Sequence, residues 1–302
     1  MRVLIPTTTA TTSFKKKVLE SMAKGINVSG DTAVVSHTYV MPTGNFDCAV
    51  MWGSYKTTGK HIRYNLKKTI IENFEKYIVA ETPLVGRKIK SNHVLPLVRL
   101  GINGHLRSKA DFPTKIDVAK AEKFLEKYTP SLKKQRGNQI LVVMQTENDS
   151  SLEGEDIFAW TLDTVIKLRK YTDRKICVRS HPFTQSQNRL TDLKNSLEKI
   201  ENVIFQTPTD SLSIDIDDQL EKTFATVIFS SGTGVDSILK GIPVVALSEL
   251  SMCYPVATHD IAKIESAQNN NTQEWLSQLA MMHYTLDELQ SGKWWGIYKD
   301  LL

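Results

Sequence analysis

Short apolar runs alternate with amphipathic stretches along this chain, and the alternation constrains its fold more than any other feature. In the first half, the sequence predicts buried strands at residues 2–5, 33–36, 48–52 and 77–80 and helices at 14–24, 64–74 and 115–128. A buried strand of a parallel sheet has a nearly continuous apolar sequence, and a helix usually forms the crossover to the next strand. The first half is therefore predicted to be a parallel sheet covered by helices.

The second half repeats this plan. Strands are predicted at residues 140–144, 175–179, 203–205, 226–229 and 243–247, and helices at 156–171, 187–200, 234–240 and 272–302. We expect an α/β fold class with two doubly wound domains, 1–136 and 137–285, facing each other across a cleft. Residues 129–137 are the expected linker, and 286–302 a C-terminal helix packing back on the first domain. Residues 86–113, which are polar and show little periodicity, are expected to be a functional loop.

The composition narrows the class of protein. Of the 302 residues, 41% are hydrophobic and 24% are charged. No apolar run approaches the ~18 residues of a bilayer-spanning helix, and the apolar stretch at 3–6 is too short for a signal peptide. Cys48, Cys177 and Cys253 are scattered and odd in number, which argues against a disulfide framework. These features predict a cytoplasmic globular protein without a membrane span.

The net charge of +5 combines two halves of opposite sign. Residues 1–139 contain 24 Lys and Arg against 10 Asp and Glu, whereas residues 140–302 contain 14 against 23. This asymmetry indicates that the basic half meets a polyanion. The alternative is that its basic side chains are evenly spread and only keep the domain in solution.

A Gly-rich turn follows the predicted strand at 226–229 and leads into a helix. It contains Ser230, Ser231, Gly232 and Gly234, with Asp236 two residues further on. Ligands of open α/β sheets bind beyond the carboxyl ends of strands, and the N–H groups at a helix N-terminus favour phosphate. The turn therefore predicts a phosphate site. An ordinary capped helix after a Gly-rich turn is the alternative.

Polar residues also follow two other strands of this predicted sheet. Arg179, His181 and Pro182 end the strand at 175–179. The guanidinium suits a phosphate or carboxylate, the imidazole can donate a hydrogen bond, and the proline stiffens the turn. Gln145 and Asn148 follow the strand at 140–144 and are candidate ligand contacts. A locally hydrogen-bonded histidine and a solvated turn are the alternatives.

Other site templates are missing from the sequence. It contains no GxxxxGK[ST], no GxGxxG after the first strand, no GxSxG and no HExxH. This disfavours P-loop NTPases, nicotinamide dehydrogenases, α/β-hydrolases and zinc proteases. Asp215 and Asp217 fall where a helix is predicted to begin, so we interpret them as first-turn acidic residues rather than a metal site.

The order of these motifs resembles the nucleotide-binding domain of GT-B glycosyltransferases. The segments at 179–182 (RSHP), 230–236 (SSGTGVD) and 241–244 (GIPV) are most similar to the capsule-polysaccharide and Kdo-transferase-like group and, more distantly, to bacterial sialyltransferases. This resemblance covers about residues 140–250. The first half, through the segments at 51–53, 80–81, 86–87, 101–104 and 110–112, is similar to bacteriophage-encoded proteins labelled as glycosyltransferases.

The resemblance implies a GT-B fold of two Rossmann-like domains and transfer of a sugar from a UDP- or CMP-linked nucleotide sugar, without an essential metal or other cofactor. It implies that His181, Pro182, Ser230 and Ser231 hold the donor nucleotide. The other expected donor-binding residues are Gln145, Arg179, Gly232, Gly234 and Asp236. In an inverting enzyme the general base would come from the first domain, where the candidates are Glu81, Asp111 and His105.

The basic half is the expected acceptor domain, because GT-B enzymes usually bind the acceptor there and Lys and Arg neutralise phosphates. The favoured acceptor is a hydroxymethylated pyrimidine in phage DNA, with the aromatic residues stacking on an exposed base. Its expected contacts are Trp52, Tyr55, Lys56, Arg87, Arg99 and Arg107; core packing is the alternative for Trp52. Other open functions are a transferase acting on an anionic glycan or lipid-linked acceptor, a non-catalytic nucleic-acid- or sugar-nucleotide-binding protein, and an epimerase of the same fold.

Overall fold

The chain folds into two compact α/β units. The computed structural model describes residues 1–55, 61–86, 97–128 and 137–302. The first unit comprises Met1–Tyr128 together with Leu276–Leu302, and the second comprises Thr129–Trp275. The expected linker lies outside the described residues except for Gly137. Within the described ranges, no helix combines the length and the apolar character needed to cross a bilayer.

The elements follow the predicted alternation. The strands are β1 (Arg2–Pro6), β2 (Thr32–Ser36), β3 (Cys48–Trp52), β4 (Tyr77–Glu81), β5 (Val98–Ile102), β6 (Gln139–Val143), β7 (Ile176–Arg179), β8 (Val203–Gln206), β9 (Thr223–Ile228), β10 (Val244–Ala246) and β11 (His283–Tyr284). The helices are α1 (Ser13–Val28), α2 (Ile62–Asn73), α3 (Val118–Tyr128), α4 (Ile157–Arg169), α5 (Gln187–Leu197), α6 (Pro208–Ser213), α7 (Ile216–Glu221), α8 (Thr233–Leu239), α9 (Thr272–Met282), α10 (Leu286–Gln290) and α11 (Lys293–Lys299).

The sheet of the first unit is mixed. Its described strands lie in the order β11-β5-β4-β3-β1-β2. The strands β1 to β4 pair in parallel, whereas β5 runs antiparallel to β4 and β11 antiparallel to β5. The chain moves from β1 outward to β2 and then returns to β3 on the other side of β1. This reversal forms a topological switch point, and ligands of such sheets bind beyond the strand ends there.

The sheet of the second unit is parallel in each of its described strand pairs. Its order is β10-β9-β6-β7-β8. The chain moves outward from β6 to β8 and returns to β9 on the other side of β6, so the switch point lies between β6 and β9. Each residue of β6 is buried, as the apolar sequence of residues 140–143 predicts. Both units are therefore Rossmann-like, which confirms the predicted α/β fold class.

The C-terminal segment completes the core of the first unit. Trp294, Trp295 and Tyr298 are fully buried in one cluster with apolar residues of β1, β3, β4 and β5. Lys299 Nζ and Trp295 Nε1 each donate a hydrogen bond to Asp31 Oδ2 at 2.7 Å. These two donors, Lys299 above all, hold the pKa of Asp31 well below its ordinary value. The charged contact thus fastens α11 to the turn before β2.

Two glycine-containing segments differ from the expectation. The helix expected to end at Gly25 continues to Val28. A Cβ at Gly25 would lie 2.0 Å from Leu289 O, so glycine allows α1 to pack closely against α10 and does not end the helix. The expected loop at 86–113 contains β5, whose apolar pattern is interrupted by Arg99 and Gly101. Residues 87–96 of this segment lie outside the described residues.

The C-terminal region also differs from the expected single helix and from the expected domain boundary at residue 285. The strand β11 interrupts the helical region and pairs with β5. Gly292, with a φ of +78°, separates α10 from α11. Residues 276–285, which the sequence analysis assigns to the second domain, therefore belong to the first unit.

Candidate functional site

The carboxyl ends of β3 and β4 bring charged residues of the first unit together. Gly53 follows β3 with a φ of +68°, and its N–H donates to Ala80 O at 2.8 Å. Glu81 Oε2 and Lys67 Nζ lie 3.4 and 3.3 Å from the position that a Cβ of Gly53 would occupy. A glycine at this position therefore leaves room for a carboxylate and an ammonium group at the sheet edge.

His105 reaches the same edge through a turn that crosses the sheet. Asn103, with a φ of +60°, begins this turn after β5. Gly104 O lies 2.4 Å from the position of a Cβ at Gly101, so glycine is needed for the turn to pass over the strand. The imidazole Nδ1 of His105 forms a short hydrogen bond with Ser54 Oγ, just beyond β3, and His105 is 8% exposed.

Glu81, the last residue of β4, is a part-buried carboxylate that stays ionised at neutral pH. Burial by itself raises its pKa. His105 opposes this effect, as does the Thr82 N–H, which donates to Glu81 Oε1 at 2.7 Å. The positive charges of Arg99 and Lys15 add to the lowering, so the pKa lies below that of an ordinary glutamate. Glu81 can therefore accept a hydrogen bond or a proton from a hydroxyl group.

Asp111, another candidate base, lies at the opposite end of the first sheet. It pairs with Ile102, the end of β5 that lies beside the amino end of β4. Its exposed carboxylate is 3.4 Å from Lys76 Nζ. Glu81 stands at the carboxyl end of β4. The structure therefore brings Glu81 and His105 together and places Asp111 elsewhere.

Two of the predicted acceptor contacts are buried. Trp52 is 3% exposed and packs in the core, with Lys15 Nζ 5.2 Å from its ring centre. Arg99 is 5% exposed and lies opposite Glu81 in the pairing of β5 with β4. Neither side chain can stack on a base or meet a phosphate at the surface, because each is enclosed by the first unit. Core packing, the alternative interpretation of Trp52, describes its position.

The other predicted acceptor contacts lie near these strands or outside the description. Tyr55 follows the Ser54 turn and is half-buried. Arg107 is half-buried in a single 3-10 turn, Arg107–Lys109, beyond β5. Lys56 and Arg87 lie outside the described residues. Their role as acceptor contacts stays a prediction.

In the second unit, Gln145 joins the loops that follow β6 and β9 at the switch point. Its Oε1 accepts from Ser230 N at 3.0 Å, and its Nε2 donates to Ser230 Oγ at 3.1 Å and to Ser151 Oγ at 2.6 Å. Ser230 Oγ in turn donates to Ser151 O at 2.7 Å. Gln145 and Ser230, both predicted donor contacts, therefore use their polar atoms to fasten the two loops to each other.

The Gly-rich turn begins α8 with hydrogen bonds of its own. Ser231 Oγ accepts from Thr233 N at 3.3 Å, and Ser231 O accepts from Gly234 N at 3.1 Å. Gly232 is the N-cap residue, and Asp236 lies in the first turn of the helix. Two N–H groups that were expected to face a phosphate are thus engaged within the turn.

Gly234 is required by packing rather than by ligand approach. A Cβ at this position would lie 2.5 Å from Ile228 Cδ1 and 2.9 Å from Cys253 Sγ. Both neighbours are fully buried. The glycine therefore lets α8 lie close against β9, and the role expected from sequence, access for a phosphate, is not needed to explain it.

Arg179 holds the turn between α6 and α7. Its Nη2 donates to Ser211 O and to Ile214 O, each at 2.8 Å. These carbonyls at the end of α6 would otherwise need partners. Arg179 is 8% exposed. It is therefore a buried support of this edge, and its predicted contact with the donor stays a prediction.

Glu147, which the sequence analysis does not single out, anchors the loop after β7. Its Oε1 accepts from Gln185 N, Ser186 N and Ser186 Oγ, each at 2.9 Å. Burial raises the pKa of Glu147, but its hydrogen bonds outweigh this effect and lower it. The polar loop that contains Gln145 indicates that Glu147 could be functional. Its role could not be predicted, because its partners come from a segment nearly forty positions further on.

The chain turns tightly at His181 and Pro182. His181 Nδ1 accepts from Phe183 N at 3.2 Å, and His181 O accepts from Thr184 N at 3.1 Å. His181 and Pro182 are half-buried, so part of each side chain is accessible from solvent. The turn therefore presents the histidine at the carboxyl end of β7, as the sequence predicts.

Polar atoms around this turn include several that are buried and have no hydrogen-bond partner within the described part of the chain. They are Arg179 Nη1, Ser180 Oγ, Thr184 Oγ1 and Ser211 Oγ. All four residues are at least nine-tenths buried. Buried polar atoms are nearly always hydrogen-bonded, so this cluster is unusual for the interior beneath the loop after β7.

Two surface depressions of the second unit are lined by other residues. One, of about 770 Å³, lies beside residues 169–175, near the amino ends of the strands. The other, of about 680 Å³, runs along α4 between Trp160 and Tyr171. None of the predicted donor-binding residues lines either depression. The candidate site of this unit is therefore defined by its loops and not by these depressions.

No three His, Cys, Asp or Glu side chains are grouped as metal ligands within the described ranges. Asp215 is the N-cap of α7, and its Oδ1 accepts from Asp217 N at 2.8 Å. This confirms the interpretation of the acidic pair as residues of a helix start. That catalysis needs no metal or other cofactor stays a prediction.

Two Rossmann-like units with polar loops at their carboxyl edges define a protein of the GT-B fold class. No family model matches the sequence, and no curated protein is similar to it in sequence. Among solved structures, the chain is similar to two Kdo transferases of Thermosulfurimonas dismutans KpsC. For the β Kdo 2,4 transferase the TM-score is 0.57 at 14% identity, covering 96% of this chain and 98% of that one. For the β Kdo 2,7 transferase it is 0.52 at 13%, covering 97% and 98%.

A weaker likeness is to UDP-GlcNAc 2-epimerase of Methanocaldococcus jannaschii. Its TM-score is 0.36 at 10% identity, covering 91% of this chain and 98% of that one. This value is too low to bear on the fold. The two KpsC transferases carry the comparison, and they confirm the GT-B fold that the sequence resemblance implies.

Proposed function

We propose that this protein is a glycosyltransferase that moves a sugar from a nucleotide sugar to a hydroxyl group of an anionic glycan. The first unit supplies the base and the acceptor surface, and the second unit supplies the donor loops. This choice of acceptor is the alternative of the sequence analysis. The favoured acceptor there, a modified base in DNA, is not supported by the comparisons, in which both similar transferases act with Kdo as their names state.

The observation that carries the proposal is the ionised, part-buried Glu81 beside His105 at the carboxyl edge of a GT-B fold. Sugar transfer from a nucleotide needs a group that receives the proton of the attacking hydroxyl. Glu81 is a carboxylate at neutral pH because His105 and its other neighbours lower its pKa. Asp111 lies at the other end of the sheet, so Glu81 is the better candidate of the two carboxylates.

In the proposed reaction, the acceptor oxygen forms a bond to the anomeric carbon of the donor sugar. The bond between that carbon and the phosphate oxygen breaks, and the nucleotide leaves with the electron pair. The acceptor proton passes to Glu81. His181 and Ser231, at the carboxyl ends of β7 and β9, would hold the phosphate, since both are half-buried and present polar groups at this edge.

The anionic acceptor is proposed from charge. The first unit, Met1–Tyr128 with Leu276–Leu302, contains 23 Lys and Arg against 13 Asp and Glu, and a net positive domain attracts an anionic acceptor. Trp52 and Arg99 are buried, which removes two of the contacts expected for DNA. Binding of an acidic oligosaccharide does not require a base to stack on Trp52, so the buried position of this residue is compatible with a glycan acceptor.

The experiment is a matrix of donors and acceptors read by mass spectrometry. The donors are CMP- and UDP-linked sugars, and the acceptors are acidic oligosaccharides and duplex DNA containing hydroxymethylated pyrimidines. We expect a mass gain of one sugar on an acidic oligosaccharide, lost in a folded His181→Ala variant. A gain on DNA alone would establish the other acceptor class. No gain on any acceptor, with no donor hydrolysis, would contradict the transferase proposal.

A further inference from the structure

Phe183 is a large apolar residue in the middle of the candidate donor loop, and it is 70% exposed. Single exposed apolar residues are common on protein surfaces and need no explanation by themselves. The position of Phe183 is unusual for another reason. It directly follows His181 and Pro182, and its ring centre lies 5.7 Å from that of His181. The exposed ring is thus part of the edge where the donor is proposed to bind.

The backbone that carries Phe183 is fixed on both sides. Its own N–H donates to His181 Nδ1 at 3.2 Å, and the next N–H, of Thr184, donates to His181 O at 3.1 Å. The following residues, Gln185 and Ser186, are held by the carboxylate of Glu147. These hydrogen bonds hold the backbone of the loop, so a ligand that stacks on the ring does not have to order the loop.

The surroundings of Phe183 supply both kinds of contact that a nucleotide needs. The half-buried imidazole of His181 lies beside the ring and suits the polar part of a ligand. The ring of Phe183 offers a flat apolar face at the same edge, and a nucleobase is the flat, apolar-faced part of a nucleotide sugar.

We propose that Phe183 is the platform on which the donor nucleobase stacks, which makes it a substrate-binding residue of the second unit. The inference rests on the proposed function, because it assumes a nucleotide-linked donor. Stacking on an aromatic ring tolerates different bases, since every base has a π-face. Phe183 therefore contributes affinity for the nucleotide, and the choice between bases comes from other groups.

The test is isothermal titration calorimetry of the full chain with CMP, UMP, AMP and GMP and with ribose 5-phosphate, which lacks the base. Phe183→Ala is expected to weaken the tightest nucleoside monophosphate on the order of 5- to 150-fold. Phe183→Trp restores most of this affinity. Ribose 5-phosphate binds the wild type and Phe183→Ala equally, because no base is present to stack.

Tyr171→Ala is the matched control. Tyr171 is also an exposed aromatic residue, 49% exposed, but it follows α4 near the amino ends of the strands, away from the loop after β7. Its removal is expected to leave nucleotide affinity unchanged. Circular dichroism and the melting temperature verify that each variant is folded.

Three results would overturn the inference. Equal nucleotide affinity of the wild type and Phe183→Ala shows that the ring does not contact the base, while the proposed transferase survives. An equal loss for ribose 5-phosphate places the ring against the sugar or phosphate instead. If the wild type binds none of the four nucleotides, the proposed donor class is wrong, and the stacking platform is rejected with it.

Discussion

At the scale of single residues, the two units use their polar groups in different ways. In the first unit, the basic side chains His105, Arg99 and Lys15 act on one carboxylate, Glu81, and keep it ionised in a part-buried position. In the second unit, Gln145 and Ser230 form hydrogen bonds that join the loops after β6 and β9. The carboxylate of the first unit can act as a base, whereas the hydrogen bonds of the second unit stabilise the loops at the edge where a ligand is proposed to bind.

Replacing Glu81 tests its role as the base. Glu81→Gln keeps the size of the side chain but removes the site that receives a proton, so kcat is expected to fall by roughly 10²- to 10⁴-fold. Asp111→Asn, at the other end of the same sheet, is the matched control and is expected to retain kcat. Steady-state kinetics with the best donor and acceptor pair decides between them. The reverse order of effects would make Asp111 the base.

The effect of His105 on Glu81 predicts a change in the pH profile. Glu81 has a lowered pKa, so the wild type is expected to lose kcat/KM only below the ordinary range of a glutamate, where Glu81 becomes protonated. His105→Asn removes the largest of the lowering influences, the pKa of Glu81 rises, and the acid limb moves to higher pH. The pH dependence of kcat/KM measures this shift. An unchanged acid limb would show that His105 does not lower the pKa of Glu81.

The residues of both sites could be predicted from sequence better than their roles. Residues that follow strands of a parallel sheet meet at one edge whatever their partners, which is why Glu81 and His181 are found at such edges. Their partners come from distant segments: Gln145 bonds to Ser230, 85 positions further on. The motif around Gln145 and Ser230 therefore indicates a site, but it cannot show that these two side chains are already engaged with each other.

At the scale of elements, close packing explains features that resemble ligand-binding motifs. The turn into α8 has the serines and glycines of a phosphate loop, yet Gly234 serves the contact between α8 and β9. The strand β5 is not predicted from the sequence, because a buried arginine and a glycine interrupt its apolar pattern. In each case a neighbouring element, which local sequence does not encode, determines what the residue does.

Gly234→Ala tests this packing. A Cβ would lie 2.5 Å from Ile228 Cδ1, so we expect a loss of about 1–3 kcal/mol in the free energy of unfolding, the usual cost of overpacking a core. Gly296→Ala is the control, because nothing lies within 4 Å of a Cβ added there, in α11. It is expected to be neutral or to stabilise by up to ~1 kcal/mol. Denaturant titration compares the two. Equal effects would argue against the packing role.

His283, in β11, links this strand to the segment after β4 and predicts a pH-dependent stability. Its Nε2 accepts from Leu84 N at 3.0 Å, so Nδ1 donates to Leu279 O at 2.6 Å, and burial lowers its pKa to about 3. In the unfolded chain His283 binds a proton as the pH falls through ~6.5, whereas in the folded chain it stays neutral until the pH is much lower. The contribution of His283 to the free energy of unfolding is therefore complete above pH ~6.5 and is lost as pH falls toward 3.

Thermal unfolding between pH 7 and 4 measures this loss. The melting temperature of the wild type is expected to fall over this range, and His283→Asn, although less stable at pH 7, is expected to show a smaller fall. His259→Asn, which replaces an exposed histidine of the second unit, is the control and should keep the wild-type slope. A slope that His283→Asn leaves unchanged would assign the pH dependence to other groups.

At the scale of the whole molecule, the alternation of apolar runs and helices was enough to predict two α/β units. Residues 286–302 pack on the first unit, as predicted, but residues 276–285 were assigned to the second, since a helical pattern shows which face is buried but not which core receives it. The tryptophan-rich α11 belongs to the first unit, although it follows the second unit in sequence. The basic charge of the first half predicts an acceptor surface, but burial of Arg99 shows that not every cation contributes to it.

Trp294→Ala tests how much the C-terminal segment contributes to the first core. The side chain is fully buried, and its Nε1 donates to Leu289 O at 3.0 Å. Truncation is expected to lower the free energy of unfolding by about 3–5 kcal/mol, as for other buried tryptophans. Lys293→Ala, at an exposed neighbouring position, is the control, with an expected change within about 0.5 kcal/mol. Similar values for both variants would mean that α11 contributes little.

Because Leu276–Leu302 belongs to the first unit, the two units are expected to fold in a particular order during translation. Domains generally fold as they emerge, the N-terminal one first. Here the chain of Met1–Tyr128 emerges first, but its core lacks α10 and α11 until synthesis reaches them. The second unit is continuous in sequence and can close earlier. The first unit is thus completed after the second, and the apolar surface that α10 and α11 cover stays exposed in the meantime.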